Sequence, residues 1–199
     1  VGDSFGSVSD VTRVVMALRE GAPELPVIQF PATASQLVPE VDAVLFLSLV
    51  SGRNAQYLIE EHVRAVPFFE RHPDVEAIST AYCLVDGGRV TSVESVSQTR
   101  PLPADKPELV SAHVRAAMLI GMRTVYLEAG SGAARPVAPA LIAAARACTP
   151  APIFVGGGIS TAEAVRAARA AGADYVVVGT RFERAGPGAV RELALAARA

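Results

Sequence analysis

Along this chain, short runs of apolar and β-branched residues alternate with longer stretches in which apolar positions recur every three or four residues. The runs Val27–Phe30, Ala43–Ser48, Val75–Val85, Thr124–Glu128, Pro152–Val155 and Tyr175–Val178 read as strands. The periodic stretches Val8–Arg19, Asn54–Glu70, Pro107–Leu119, Ala138–Ala147, Thr161–Ala171 and Ala189–Ala197 read as helices. Alternation of this kind predicts an α/β fold with a parallel sheet and helices outside it. The strands are nearly continuous apolar runs, as expected when both sheet faces are covered. Local signals support several boundaries. Ser160-Thr161-Ala162-Glu163 fits a capping box in which Ser160 accepts from the backbone of Glu163. Asp105 precedes Pro107 at a first helical turn, and Gly121 and Gly172 stand where left-handed helix caps are expected. No linker rich in Pro, Ser or charge interrupts the pattern, so residues 1–199 read as a single domain.

Three of the strand runs end in glycine-rich turns bearing a hydroxyl: Tyr126-Leu127-Glu128-Ala129-Gly130-Ser131-Gly132, Val155-Gly156-Gly157-Gly158-Ile159-Ser160 and Val178-Gly179-Thr180. Glycine lets a backbone approach a ligand closely, and the unpaired N–H groups at a helix start attract anions. Such turns at successive strand ends describe a cradle for a phosphorylated small molecule. Placing Gly156–Ser160 and Gly179–Arg181 after the last two strands favours a (β/α)8 barrel of the TIM type, with Phe182 and Glu183 beginning the short extra segment that often completes its phosphate site. An open doubly wound sheet would carry its glycine-rich turn near the start instead. Barrel closure needs eight strands. With Val1-Gly2 read as the end of the second strand, the expectation is a barrel lacking its first strand–helix unit and most of that second strand.

Composition narrows the functional classes. Of 199 residues, 51% are hydrophobic and 19% charged, which suits a large buried core rather than disorder. A formal net charge of −2 gives no electrostatic reason to expect nucleic acid. The isolated Cys83 and Cys148 suggest reduced thiols in a cytoplasmic protein, not a disulfide framework or zinc site. The longest apolar run, Ala43 to Val50, is far short of the roughly 20 residues a spanning helix needs. His62, His72 and His113 lack the spacing of a metal pair.

Side chains alternate faces along a strand, so Tyr126 and Glu128 point the same way, with Val125 and Leu127 turned towards helices. A carboxylate at a strand end beside a glycine cradle can hold a polyol hydroxyl or take its proton. The competing reading is a glutamate that merely accepts from neighbouring backbone N–H groups. Gly156, Gly157, Gly158, Gly179 and Thr180 are the candidate phosphate donors. Ser48 to Asn54 forms a polar strand exit, and Tyr82 in Thr80-Ala81-Tyr82 is a further pocket candidate, with an ordinary core tyrosine as its alternative.

At these residues the chain resembles the geranylgeranylglyceryl phosphate synthase family, which includes the bacterial heptaprenylglyceryl phosphate synthases. The resemblance runs through essentially the whole chain. It is carried by Phe30-Pro31, Phe46-Leu47-Ser48-Leu49 through Asn54, Thr80-Ala81-Tyr82 and Ser97 through Lys106. It continues in Tyr126–Ala133, Val155–Ile159, Ala171-Gly172-Ala173-Asp174 and Gly179-Thr180. Val85-Asp86-Gly87-Gly88 with Thr91-Ser92-Val93 leans towards the geranylgeranyl branch.

The resemblance implies a TIM-like barrel that transfers a prenyl group from its diphosphate to the 3-hydroxyl of sn-glycerol 1-phosphate. By matching position, Tyr126, Leu127, Glu128, Ala129, Gly130, Ser131 and Gly132 contact the glycerol phosphate, with Glu128 at its hydroxyls. Gly157, Gly158, Gly179 and Thr180 hold its phosphate. Mg²⁺ meets the leaving pyrophosphate. Its family ligands are an aspartate after the first strand, which has no counterpart here, and a Ser or Thr after the second, matched by Ser4. Asp3 occupies a glycine position of that pattern and is not a replacement.

The expected partners are therefore the two substrates, a membrane touched peripherally through the lipid product, and further copies of the chain, since an incomplete barrel exposes apolar edges. Two rival readings follow from the residues alone. Another phosphate-binding barrel, such as a sugar-phosphate isomerase or aldolase, is one; an aldolase would need a Schiff-base lysine, and the single lysine, Lys106, lies in a loop before a helix. The other is a binder of phosphate or polyprenyl phosphate without turnover.

Overall fold

The computed structural model describes residues 1–2 and 8–198, packed as two units: Val1–Ser48 with Ala55–Thr80, and Leu49–Asn54 with the chain from Ala81 onward. The first unit holds α1 (Val8–Gly21), β1 (Ile28–Gln29), a 3₁₀ turn at Ala34–Gln36, most of β2 (Ala43–Leu49), α2 (Glu61–Arg71) and the start of β3 (Glu76–Leu84). The second holds the end of β3, α3 (Ser92–Ser97), α4 (Pro107–Leu119), β4 (Thr124–Glu128), α5 (Pro139–Arg146), β5 (Ile153–Gly156), α6 (Ala162–Ala170), β6 (Tyr175–Val176), α7 (Thr180–Ala185) and α8 (Pro187–Arg198). Strand order follows the sequence, β1-β2-β3 in the first unit and β3-β4-β5-β6 in the second.

The expected parallel pairing is present. Ile28 lies opposite Ala43 in the first unit. In the second, Tyr126 lies opposite Phe154, Glu128 opposite Gly156, and Val155 opposite Val176. Val125, Leu127, Ile153 and Val155 turn one sheet face onto Val110 and Val114 of α4, Leu141 and Ile142 of α5, Val165 of α6 and Leu193 of α8. Each fully buried Leu or Ile there contributes about 1.5–3 kcal/mol of hydrophobic stabilisation. The first unit has its own core of Val11, Val15, Val27, Val38, Val44, Phe68 and Val75.

One device fastens a strand start in each unit. Asp42, just before β2, accepts from the Val27 amide at 2.7 Å and from Arg19 of α1 at 2.9 Å. Asp174, just before β6, accepts from the Ile153 amide at 2.8 Å and from Arg146 of α5 at 2.9 Å. A helix-borne arginine, a strand-start amide and the aspartate before the next strand thus fix how each α–β step enters the sheet.

Several boundaries differ from the sequence reading. Thr161, not Ser160, caps α6, its hydroxyl accepting from Ala164 at 3.2 Å. The helix expected over Asn54–Glu70 opens with a π turn at Gln56–Glu60, whose wider winding brings the Glu61 amide onto the Gln56 carbonyl, and only then becomes α-helical. β1 keeps only Ile28–Gln29 of the expected Val27–Phe30, although Phe30 donates to the Val1 carbonyl and the Val1 amine to the Ile28 carbonyl, both at 2.7 Å. β6 is short by the same measure, yet the Val177 amide continues its ladder to Val155 at 2.8 Å. α3 was not expected, because its short, serine-rich sequence has weak helix propensity. Gly121 and Gly172 take the expected left-handed conformation, with φ of 88° and 111°.

Candidate functional site

β4 carries the central residues. Its alternation buries Val125 and Leu127 in the helix-facing core and leaves Tyr126 and Glu128 on the other face. There Tyr126 joins an aromatic row. Its ring centroid lies 5.4 Å from Tyr82 of β3 and 6.0 Å from Phe154 of β5, and Phe154 in turn stacks on Tyr175 of β6 at 4.5 Å. The row fixes the Tyr126 ring, and the Tyr126 hydroxyl hydrogen-bonds the Glu128 carboxylate.

Glu128 is 8% exposed. One carboxylate oxygen, Oε1, accepts from the Gly130 amide at 2.6 Å. Burial raises its pKa from 4.5 to about 7, against the opposing pull of the Gly130 and Tyr126 hydrogen bonds. Burial also holds the Tyr126 and Tyr82 phenols well above their usual range, with the Glu128 charge adding to the effect. A buried carboxyl that changes charge near neutrality is suited to take a proton from an alcohol.

The register places the β5 glycine turn directly beside this carboxylate. A Cβ on Gly156 would overlap the Tyr126 hydroxyl and come within 2.9 Å of Glu128 Oε2. One on Gly157 would overlap Oε1 and come within 2.6 Å of the Gly130 amide and 2.8 Å of the Ala129 amide. Gly158 lies against the Arg135–Pro136 backbone. With φ of 82° and 70°, Gly157 and Gly158 also adopt the left-handed backbone that disfavours side chains. Any larger residue in this turn would displace the groups it packs on.

The remaining sequence candidates divide by position. Ala129 is buried, while Ser131 and Gly132 are exposed at the loop tip, the Arg89 guanidinium reaching to 3.7 Å of where a Gly132 Cβ would stand. The Gly130 amide, expected to face substrate, already serves Glu128. Leu127 is fully buried in the core, so its side chain cannot meet a ligand and only its backbone could. Gly179 and Thr180 lie where β6 leads into α7, at the edge of the sheet to which β4 and β5 also run, two strands beyond Glu128. Ser4 and Asp3 lie outside the described residues. Among the described residues no three His, Cys, Asp or Glu side chains gather as a cation site.

Other polar candidates are structural. Ser51 accepts from the Leu84 amide at 2.9 Å, and Asn54 donates to the Ser97 carbonyl at 3.0 Å, tying the β2 exit in place. Ser48 donates to Leu58 and His62 bonds Leu47, each onto a backbone carbonyl. Cys83 and Cys148 are unpaired thiols, and burial raises Cys83 to about 12. No described helix is long and apolar enough to cross a membrane.

Two residues gained roles that sequence reasoning did not give them. Gly156, read as a phosphate donor, instead clears space for Tyr126 and Glu128; pairing β4 with β5 end to end would have put it opposite Glu128. Thr91 packs against Gly130, where a Cβ would meet its side chain within 2.5 Å, and no local motif signals that contact.

The chain is similar to known proteins. The chain is 42% identical to the geranylgeranylglyceryl phosphate synthase of Flavobacterium johnsoniae, over 92% of this chain and 74% of that protein. It is 45% identical to the enzyme of the same name from Methanopyrus kandleri, over 92% of this chain and 75% of the other. The crystal structure of (S)-3-O-geranylgeranylglyceryl phosphate synthase from Thermoplasma acidophilum, in complex with substrate sn-glycerol-1-phosphate, superposes with a TM-score of 0.87 at 30% identity, covering 98% of this chain and 76% of that one. Residues 1–197 match the model of the PcrB family, and the chain belongs to that family.

Proposed function

We propose that this chain is a prenyltransferase that joins the geranylgeranyl group of its diphosphate to the 3-hydroxyl of sn-glycerol 1-phosphate, within a TIM-like barrel domain spanning the matched residues. The C–O bond between the prenyl carbon and the diphosphate breaks, pyrophosphate leaves with the bonding electrons, and the glycerol oxygen forms the new ether bond to that carbon. The hydroxyl proton passes to Glu128. The observation that carries the reading is the buried Glu128 carboxylate, with a pKa near 7, packed against the Gly156–Gly158 turn.

In this reading Glu128, anchored by Gly130 and Tyr126, faces the reacting alcohol. Backbone N–H groups of Gly157, Gly158 and Gly179 and the Thr180 hydroxyl hold the acceptor phosphate. Leu127 through its backbone, Ala129, Ser131 and Gly132 frame the glycerol, with Tyr126 behind Glu128. A carboxylate positioned to accept the proton contributes about 10²–10⁴-fold to such a step.

We also propose Mg²⁺ for the donor side, because a departing pyrophosphate develops charge that a divalent cation neutralises. The described residues do not by themselves form its ligand set, and no step above is routed through it. Cytoplasmic catalysis, delivery of the lipid product at a membrane surface, and self-association complete the proposal. For the last, Leu119 and Ile120 at the end of α4 are 88% and 72% exposed, an apolar corner suited to burial between copies.

The test is transfer of radiolabelled geranylgeranyl diphosphate to sn-glycerol 1-phosphate, with pyrophosphate release followed in parallel. The chain should form labelled ether lipid, and Glu128→Ala should not. Diphosphate binding without pyrophosphate release would make the chain a binder instead.

A further inference from the structure

Glu128 would be a poor proton acceptor if its carboxylate could swing on its χ angles, and the structure shows what prevents it. Oε1 is held by the Gly130 amide at 2.6 Å. The other constraint comes from Tyr126, two residues back on the same strand face. Its ring is gripped between Tyr82 and Phe154, lying parallel to the latter within 1°, so the hydroxyl is placed by a packed aromatic row rather than by a free torsion. The room for that hydroxyl exists only because residue 156 is glycine, since a Cβ there would overlap it.

We propose that Tyr126 is a positioning residue that acts on prenyl transfer through Glu128, its hydroxyl donating to the carboxylate to hold the ionised form in one orientation, in a slot that Gly156 keeps open. This rests on the reading of Glu128 as the proton acceptor. Among the described residues, few groups face Glu128. Tyr126 comes from its own strand, the Tyr82 phenol from β3 and the Gly130 amide from the following loop, while β5 presents only Gly156 and Gly157. No cation is among them, so the two donors are what oppose the desolvation of the charged form. Each carboxylate oxygen has two lone pairs, so donation from tyrosine leaves acceptor capacity for a substrate hydroxyl.

Removing the phenol hydroxyl withdraws a donor from the ionised carboxylate and raises its pKa by about one unit. In Tyr126→Phe, the carboxyl ¹³C resonance of Glu128 in the free protein should therefore titrate at higher pH than in the wild type. The acid limb of kcat/KM should move up by the same interval, leaving activity about fivefold low at pH 7 and largely recovered at pH 9. Should Tyr126→Phe fold poorly, Gly156→Ala displaces the same hydroxyl, and with it crowds Glu128 Oε2, and should likewise move the Glu128 titration to higher pH. An unmoved ¹³C titration in a folded variant overturns the proposal, as does a loss of activity of equal size at every pH. Glu128→Gln separates the two claims. Transfer by that variant at wild-type rate removes the proton-acceptor reading and this one with it. An inactive Glu128→Gln beside an unshifted Tyr126→Phe leaves the first standing and ends only the second.

Discussion

Glu128→Gln should make the protein less active and, above neutrality, more stable. Glutamine keeps the shape of the side chain and an oxygen for the Gly130 amide, but carries no charge. In the folded protein burial raises the Glu128 pKa from 4.5 to about 7, while in the unfolded chain it titrates near 4.5. Below pH 4.5 the carboxyl is protonated in both states and its protonation adds nothing to the pH dependence. Between pH 4.5 and about 7 the native state binds the extra proton, so the wild type loses stability as pH rises, and above about 7 the full penalty is in place. A shift of this size corresponds to about 3 kcal/mol at 1.36 kcal/mol per pK unit. Comparing urea unfolding of the two proteins at each pH cancels every other titrating group. Far-UV circular dichroism is the suitable probe, since the chain has no tryptophan. From pH 5 to 8.5 the stability difference should grow in favour of glutamine by roughly 2–3 kcal/mol, while transfer falls by about 10²–10⁴-fold. A difference that does not change with pH would refute the claim that the fold strains this carboxylate towards its neutral form.

Other substitutions test the surrounding geometry. Gly157→Ala forces a side chain onto Glu128 and the Ala129 and Gly130 amides at a left-handed backbone position, and should lower transfer at least tenfold in a protein whose circular dichroism spectrum is unchanged. Asp174→Ala leaves the Ile153 amide and the Arg146 guanidinium without their shared acceptor and should cost about 1–3 kcal/mol in urea unfolding, with little change in KM for the acceptor. Leu141→Ala opens a cavity in the core behind β4 and should cost about 2–5 kcal/mol by the same measurement. Chelation with EDTA should stop pyrophosphate release, and added Mg²⁺ should restore it; release that is indifferent to chelation would remove the magnesium proposal.

Much of the second unit was legible because its strands are long apolar runs set off by glycine. Thr124–Glu128 has the expected bounds, and the orientation of Tyr126 and Glu128 follows from strand alternation alone. What the sequence could not convey is the partner of each group. That the Gly130 amide turns back onto Glu128, or that Gly156 yields its side-chain space to the Tyr126 hydroxyl, depends on the β4–β5 register, which no local pattern encodes. The common work of Asp42 and Asp174, capping the neighbouring strand's first amide with an arginine behind, has no local signal and needs the sheet to be assembled. The π turn at Gln56–Glu60 was hidden for a different reason, since apolar spacing does not distinguish one wide turn from a regular helix start.

The account is tested most directly by a crystal structure of this chain with sn-glycerol 1-phosphate bound. It should show the phosphate oxygens on the amides of Gly157, Gly158 and Gly179 with a glycerol hydroxyl in hydrogen-bond reach of Glu128. A ligand whose phosphate sits away from those amides, or whose hydroxyls all turn from that carboxylate, would contradict it.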